Sequence, residues 1–190
     1  MVKKASFKEA KDIYRKYIMR DFLPEERIPY KKYKRLTKKK VISTYKFYDE
    51  KVFLGYFSGI DKKDVLFLEY LGIIPEKRGQ GLGTKLLEEI KNSATDKDYI
   101  AFEVDDLLMA RDENELESIK KRRTLYFKSG FEELDNIEYS IHGFKYNIFV
   151  YKIKNKSVKK QEILERIKNI YKDDLTLKEK YFKMQIIENK

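Results

Sequence analysis

Four groups of residues in this sequence have types and spacings suited to chemistry. The first is Arg78-Gly79-Gln80-Gly81-Leu82-Gly83, which places three glycines in five positions directly before an amphipathic stretch. Glycine removes the side chains that would hold an anion away from the backbone, and a following helix offers unpaired N–H groups and a positive dipole end. Arg78 adds a formal cation at the mouth of this backbone-built anion site. The second group is two isolated carboxylates, Glu69 in Leu68-Glu69-Tyr70 and Glu103 in Phe102-Glu103-Val104. Burial in such apolar runs raises a carboxylate's pKa and makes it a better base, whereas a nearby cation lowers it again. Either glutamate could instead form a structural ion pair with Arg122, Arg123 or a lysine. The third is Gly72, inside an apolar run, where a glycine marks a bulge or a close backbone approach, or else tight packing of a helix on a sheet. The fourth is His142, the single histidine, whose place in a hairpin turn argues against catalysis.

The elements around the glycine loop follow from periodicity. Val65 to Ile74 is nearly continuous in apolar residues, as in a strand buried on both faces, and Pro75 ends it. Leu82, Leu86, Leu87 and Ile90 then form one stripe of a helix. The unit is strand, anion loop, helix. A P-loop would require Lys-Ser/Thr after its last glycine, but Thr84-Lys85 has the order reversed. A dinucleotide fingerprint counted from Gly79 and Gly81 would put its third glycine where Thr84 stands. Spacing excludes both.

The remaining pattern, Arg-x-x-Gly-x-Gly, resembles the acetyl-CoA loop of the GNAT superfamily of N-acetyltransferases. The similarity runs from Leu68 through Gly83, and a second stretch, Arg122-Arg123-Thr124-Leu125-Tyr126-Phe127-Lys128-Ser129-Gly130-Phe131, resembles that family's downstream signature of a tyrosine four residues before Gly-Phe. The resemblance implies an acyl-CoA N-acyltransferase fold, α/β with a mixed sheet, and acetyl-CoA as co-substrate. It implies that Arg78, Gly79, Gln80, Gly81, Leu82, Gly83 and Thr84 hold the pyrophosphate, and that backbone amides near Leu71, Gly72 and Ile73 hold the acetyl and pantetheine groups. It makes Glu103 or Glu69 the candidate base and Tyr126 the candidate acid for the departing thiolate; core packing is the alternative role of Tyr126. One stretch departs from the family pattern: Asp105 to Leu125 is longer, begins acidic, and lacks the asparagine many members carry there. Its Asp105, Asp106, Asp112 and Glu113 form either an acidic rim or a solvated loop.

Elsewhere, a first helix is expected from about Phe7 to Asp21, and Glu25 to Lys40 is short, basic and ambiguous. Val41–Tyr48 and Val52–Phe57 read as a hairpin, and Tyr99–Val104 as a strand parallel to the central one through the helical crossover. Glu115–Ser129 reads as a helix ended by Gly130, followed by a second hairpin around His142-Gly143. These assignments place the acetyltransferase domain at residues 1–153. Residues 154–190 form a helical extension, with Ile163, Leu164, Ile167, Ile170 and Tyr171 on one face and a capping-box form, Thr176-Leu177-Lys178-Glu179, before a second short helix. That extension packs on the domain or, alternatively, makes a homodimer or other partner contact.

Bulk properties narrow the function classes. At 190 residues, with 42% hydrophobic and 14% aromatic content, the chain can bury one sizeable core. The absence of cysteine excludes disulfides and a thiolate nucleophile, and one histidine with scattered carboxylates gives no metal site. No serine-hydrolase elbow is present. No apolar run reads as a secretory signal or membrane span, so a cytoplasmic protein is expected. The net charge of +11 and the Lys31–Lys40 run could suit nucleic acid, but no recognition motif accompanies them, so a solvated face is preferred. The sequence therefore reads as an N-acetyltransferase using acetyl-CoA on an amine-bearing substrate. The alternative is a catalytically degenerate CoA-binding or regulatory module that engages a partner through its C-terminal helices.

Overall fold

Alternation and helical periodicity resolve into a mixed α/β architecture in the computed structural model, which describes residues 1–153, 157–176 and 182–186. The chain divides into two compact units, Met1–Thr95 and Asp96–Lys190.

The first unit is an antiparallel meander of β1 (Val2–Lys4), β2 (Ser43–Asp49), β3 (Val52–Asp61) and β4 (Val65–Ile73), each paired with the next. The first helix starts at a capping box, in which Ser6 and Glu9 exchange side-chain-to-backbone bonds. It runs as α1 (Phe7–Ile13), a π-helical turn at Tyr14–Ile18 and α2 (Met19–Asp21), covering the span expected from the sequence. The ambiguous basic segment contains α3 (Tyr30–Lys38). Tyr33 anchors α3: its hydroxyl lies 2.5 Å from Thr44 Oγ1 and 3.4 Å from Ser58 Oγ, a buried polar trio inside otherwise apolar packing. α4 (Leu82–Ser93) buries Leu82, Leu86, Leu87 and Ile90, the stripe expected from their spacing.

β3 and β4 approach unusually closely. A Cβ on Gly59 would collide with the Phe67 carbonyl, and one on Gly55 would lie 2.5 Å from the Gly72 carbonyl. Next to Gly59 the register slips. Ser58 pairs with Tyr70 and Gly59 with Leu68, leaving Glu69 as an extra residue on β4. The bulge that the sequence suggested for this strand therefore lies at Glu69. Gly72 is in regular register opposite Tyr56, and a Cβ there would come within 3.0 Å of the Tyr56 ring. Gly72 is thus a close-approach glycine, accommodating an aromatic side chain rather than a kink.

In the second unit β8 (Phe144–Lys152) is central. It pairs along its length with β5 (Tyr99–Asp105), and elsewhere with β6 (Glu132–Glu133) and β7 (Ile137–Ile141). His142 and Gly143, with φ of 50° and 87°, form the two-residue turn between β7 and β8, as left-handed hairpin turns require. α5 (Glu113–Lys128) starts two residues before the expected Glu115, because Asp112 caps it by accepting from the Glu115 N–H at 2.8 Å. α6 (Lys160–Asn169) buries Ile163, Leu164 and Ile167, and a π-helical turn at Ile170–Asp174 buries Ile170 and Tyr171. The chain then supplies β9 (Phe182–Ile186), antiparallel to β7. These residues form a strand because the edge of β7 satisfies their backbone groups as a ladder. Residues 177–181, where the expected second helix would begin, lie outside the described residues.

Gly59→Ala should destabilise the protein by ~1–3 kcal/mol, the usual range for overpacking a tight contact, as read from urea denaturation. An unchanged midpoint would mean that the β3–β4 ladder opens readily.

Candidate active site

The glycine loop adopts the backbone its composition predicts. Gly79 and Gly81 have φ of 76° and 72°, a left-handed conformation that other residues adopt only with strain, and a Cβ on either would meet nothing within 4 Å. The surface above the loop is therefore open. Gly81 is the N-cap of α4, so the N–H groups of Leu82, Gly83 and Thr84 lie in its first turn, where no helix carbonyl reaches them. Leu82 is buried and can contribute only through its backbone, whereas Gln80 and Thr84 are exposed.

Arg78 has a different role from that of a free cation. Its Nε donates to the Ile73 carbonyl at 2.9 Å, and its guanidinium pairs with Asp21 at 3.0 Å. Asp21 also pairs with Arg20 at 2.9 Å and accepts from the Tyr56 hydroxyl at 3.2 Å. Burial and Asp21 together push the Tyr56 phenol well up, so it stays a donor. The Tyr56 ring lies over Gly72. Gly72, Tyr56, Asp21, Arg78 and Ile73 thus form a closed circuit that joins the end of β4 to the start of the loop. Asp21 lies far from the loop in sequence, and nothing in the sequence marked it. Leu71, Gly72 and Ile73 are half-buried and pair with Phe57, Tyr56 and Gly55 of β3.

The two candidate bases have opposite environments. Glu69 is half-buried as a residue, but its Oε1 is enclosed without a hydrogen-bond partner among the described residues. Burial pushes its carboxyl up to about 7, against an opposing pull from Lys32. Glu103 is committed to hydrogen bonds, since its Oε1 accepts from the Tyr139 hydroxyl and from the Tyr171 hydroxyl, the latter at 2.7 Å. Those phenols come from β7 and from the turn after α6, so distant segments of the second unit converge on this carboxylate. Neither glutamate forms the ion pair with Arg122 or Arg123 considered from the sequence. Arg122 pairs with Asp105 at 2.6 Å, and Arg123 with Glu133 and, at 3.0 Å, with Asn147.

Tyr126 is positioned by the end of its helix. The N–H of Phe131 reaches the Tyr126 carbonyl at 3.0 Å, the N–H of Gly130 reaches that of Phe127 at 3.0 Å, and Gly130 has φ of 82°. This is a Schellman cap, whose hydrophobic contact normally joins the residue after the glycine to the one four before it. Here both meet on Phe102: the Tyr126 ring lies 4.7 Å and the Phe131 ring 4.9 Å from it. The Tyr-x-x-x-Gly-Phe spacing is therefore also a capping spacing. Burial raises the Tyr126 phenol, which keeps it protonated at neutral pH. The acidic segment before it serves local structure in part. Asp106 accepts from the Leu108 N–H at 2.9 Å, Asp112 caps α5, and Asp105 holds Arg122.

Residues 42–133 match the family model described as the acetyltransferase (GNAT) domain. That stretch is similar to a GNAT acetyltransferase domain. Its fold is similar to that of a protein from Bacteroides thetaiotaomicron placed in the GNAT acetyltransferase family, with a TM-score of 0.76 at 17% identity, covering 94% of this chain and 99% of the other. It is also similar to Arabidopsis thaliana NAA60 in complex with acetyl-CoA (TM-score 0.54, 11% identity, 82% and 99% covered). A third similar fold is the aminoglycoside 6'-N-acetyltransferase of Enterococcus faecium (TM-score 0.56, 11% identity, 83% and 99% covered). At these identities the likeness establishes the GNAT acyltransferase fold. Among curated proteins, none matches this sequence. No helix among the described residues is long and apolar enough to cross a membrane.

The raised pKa of Glu69 has a consequence for stability. A group that binds its proton more tightly when folded contributes stability that is full below the ordinary glutamate range and is lost as pH rises through about 7. Glu69→Gln should therefore melt close to wild type at about pH 4 and above it at about pH 8. A difference in Tm that stays constant between those conditions would show that Glu69 is not held neutral.

Proposed function

We propose that this chain is an N-acetyltransferase that moves the acetyl group of acetyl-CoA directly to a primary amine. The observation that carries the reading is the presence, within one unit, of an open backbone cradle at Gly79–Thr84 and of Glu69, whose proton affinity is poised near neutrality. The cradle fits a pyrophosphate by its donor chemistry: left-handed glycines and first-turn N–H groups converge where nothing blocks approach. With Arg78 tied to Asp21, the attraction for the anion comes chiefly from the backbone. The solved relatives bound to CoA or acetyl-CoA support the same donor.

In the proposed reaction the amine nitrogen forms a bond to the thioester carbonyl carbon as the carbon–sulfur bond breaks. The proton lost by nitrogen passes to Glu69, and the departing thiolate takes one from an acid, the role that the sequence resemblance gives to Tyr126. Glu69 suits the base because its Oε1 has no competing donor, whereas the acceptor capacity of Glu103 Oε1 is taken by two phenols. Glu103 is thereby assigned a positioning role. The acid role of Tyr126 rests on the Tyr-x-x-x-Gly-Phe resemblance together with its protonated state. On this reading residues 154–190 extend an acetyltransferase domain that ends near Ile153.

The test is steady-state kinetics of thiol release with calorimetry of acetyl-CoA binding. Gly81→Glu should abolish binding, and Tyr126→Phe should lower kcat while leaving acetyl-CoA affinity intact. Glu69→Gln should lower kcat/KM and remove a rise centred at about pH 7; general-base losses are typically ~10²–10⁴-fold. Unchanged turnover in both Glu69→Gln and Tyr126→Phe would defeat the assignment.

A further inference from the structure

The acceptor class can be narrowed from the charges beside Glu69, an argument that rests on the acetyltransferase reading above. The hydroxyl of Tyr33 ties α3 to Ser58, and Ser58 is paired with Tyr70, the neighbour of the bulged Glu69. The residue before Tyr33 on α3 is Lys32, and each of Lys32 and Glu69 shifts the other's proton affinity. Lys32 is half-buried, yet it makes no hydrogen bond or ion pair among the described residues. The Arg35 side chain, one turn along, likewise makes none, and its charge disfavours that of Lys32. No acidic residue lies between Glu26 and Asp49, so α3 supplies no counter-charge of its own.

A partly desolvated ammonium without a hydrogen-bonded carboxylate is costly to maintain. A polycationic acceptor would raise that cost, because its remaining charges would meet Lys32 and Arg35. An acceptor carrying its own anion would lower it. We propose that the acceptor bears a carboxylate or phosphate within a few bonds of its amine, and that Lys32 receives this anion while Glu69 faces the nitrogen. Arg35 reinforces the field from the exposed side of the helix, and Lys31 and Lys34 extend it outward.

The experiment measures thiol release by the full chain with matched amines: 4-aminobutyrate against n-butylamine, O-phosphoethanolamine against ethanolamine, and spermidine as the polycation. The anionic member of at least one pair should be preferred in kcat/KM by about tenfold or more, with spermidine poorest. The pair with the larger ratio identifies the anion as carboxylate or phosphate. In Lys32→Gln that ratio should collapse to within about threefold with the KM for acetyl-CoA unchanged, and Arg35→Gln should reduce it less. Because each ratio is taken within one variant, a general loss of activity cancels. Equal use of neutral or polycationic amines, with a ratio unmoved by Lys32→Gln, would overturn the inference and leave the acetyltransferase reading standing. A raised KM for acetyl-CoA in Lys32→Gln would overturn it by assigning Lys32 to the donor. Binding of acetyl-CoA with no thiol release from any amine would overturn both.

Discussion

The first unit depends on one irregularity in its hydrogen-bond ladder, the extra residue that β4 carries opposite β3. Two strands held this close, with Gly59 against the Phe67 carbonyl, permit a slip only where a glycine yields room, and the slip falls there. It breaks the in-and-out alternation of β4 at Glu69, a carboxylate in a strand otherwise built to be covered on both faces. The same pairing sets Ser58 opposite Tyr70 and so fixes where Tyr33 fastens α3. The acidity of Glu69 and the company of Lys32 both follow from this local register.

The far end of β4 is governed by a different economy of contacts. A strand cannot by itself hold the loop that follows it, since Pro75 ends the ladder and a short 3₁₀ turn at Pro75–Lys77 leads away. Arg78 bridges the gap by binding the last strand carbonyl with one nitrogen and the end of the first helix with another. A loop made flexible by glycine is thus kept in register by the side chain at its entrance. The anion cradle itself is left to backbone groups, which cannot change rotamer.

How much of this was legible in the sequence depended on range. Gly79, Gly81 and Gly130 act through their own φ angles, so spacing alone located the loop and the end of α5. The apolar stripe of α4 was equally local. The position of the bulge was not legible, because it depends on which β3 residue faces which on β4, and Gly72 drew attention from Glu69. Asp21 as the partner of Arg78, and Tyr139 and Tyr171 as the partners of Glu103, involve residues tens of positions apart and of types common anywhere. The strand at Phe182–Ile186 was not legible for a related reason: it forms on the edge of β7, a partner more than forty positions away.

The Schellman cap fixes Tyr126 relative to the residues that follow it, through Gly130 and Phe131, and by shared contact with Phe102. Its location is therefore counted backward from the end of α5 and owes nothing to the length of chain that precedes the helix. Material can be gained or lost between Asp105 and Asp112 without shifting the phenol. The stretch from Asp105 to Leu125, where the sequence resemblance to the family is weakest, begins with that connection, and the aromatic cluster holds its geometry whatever the connection's length.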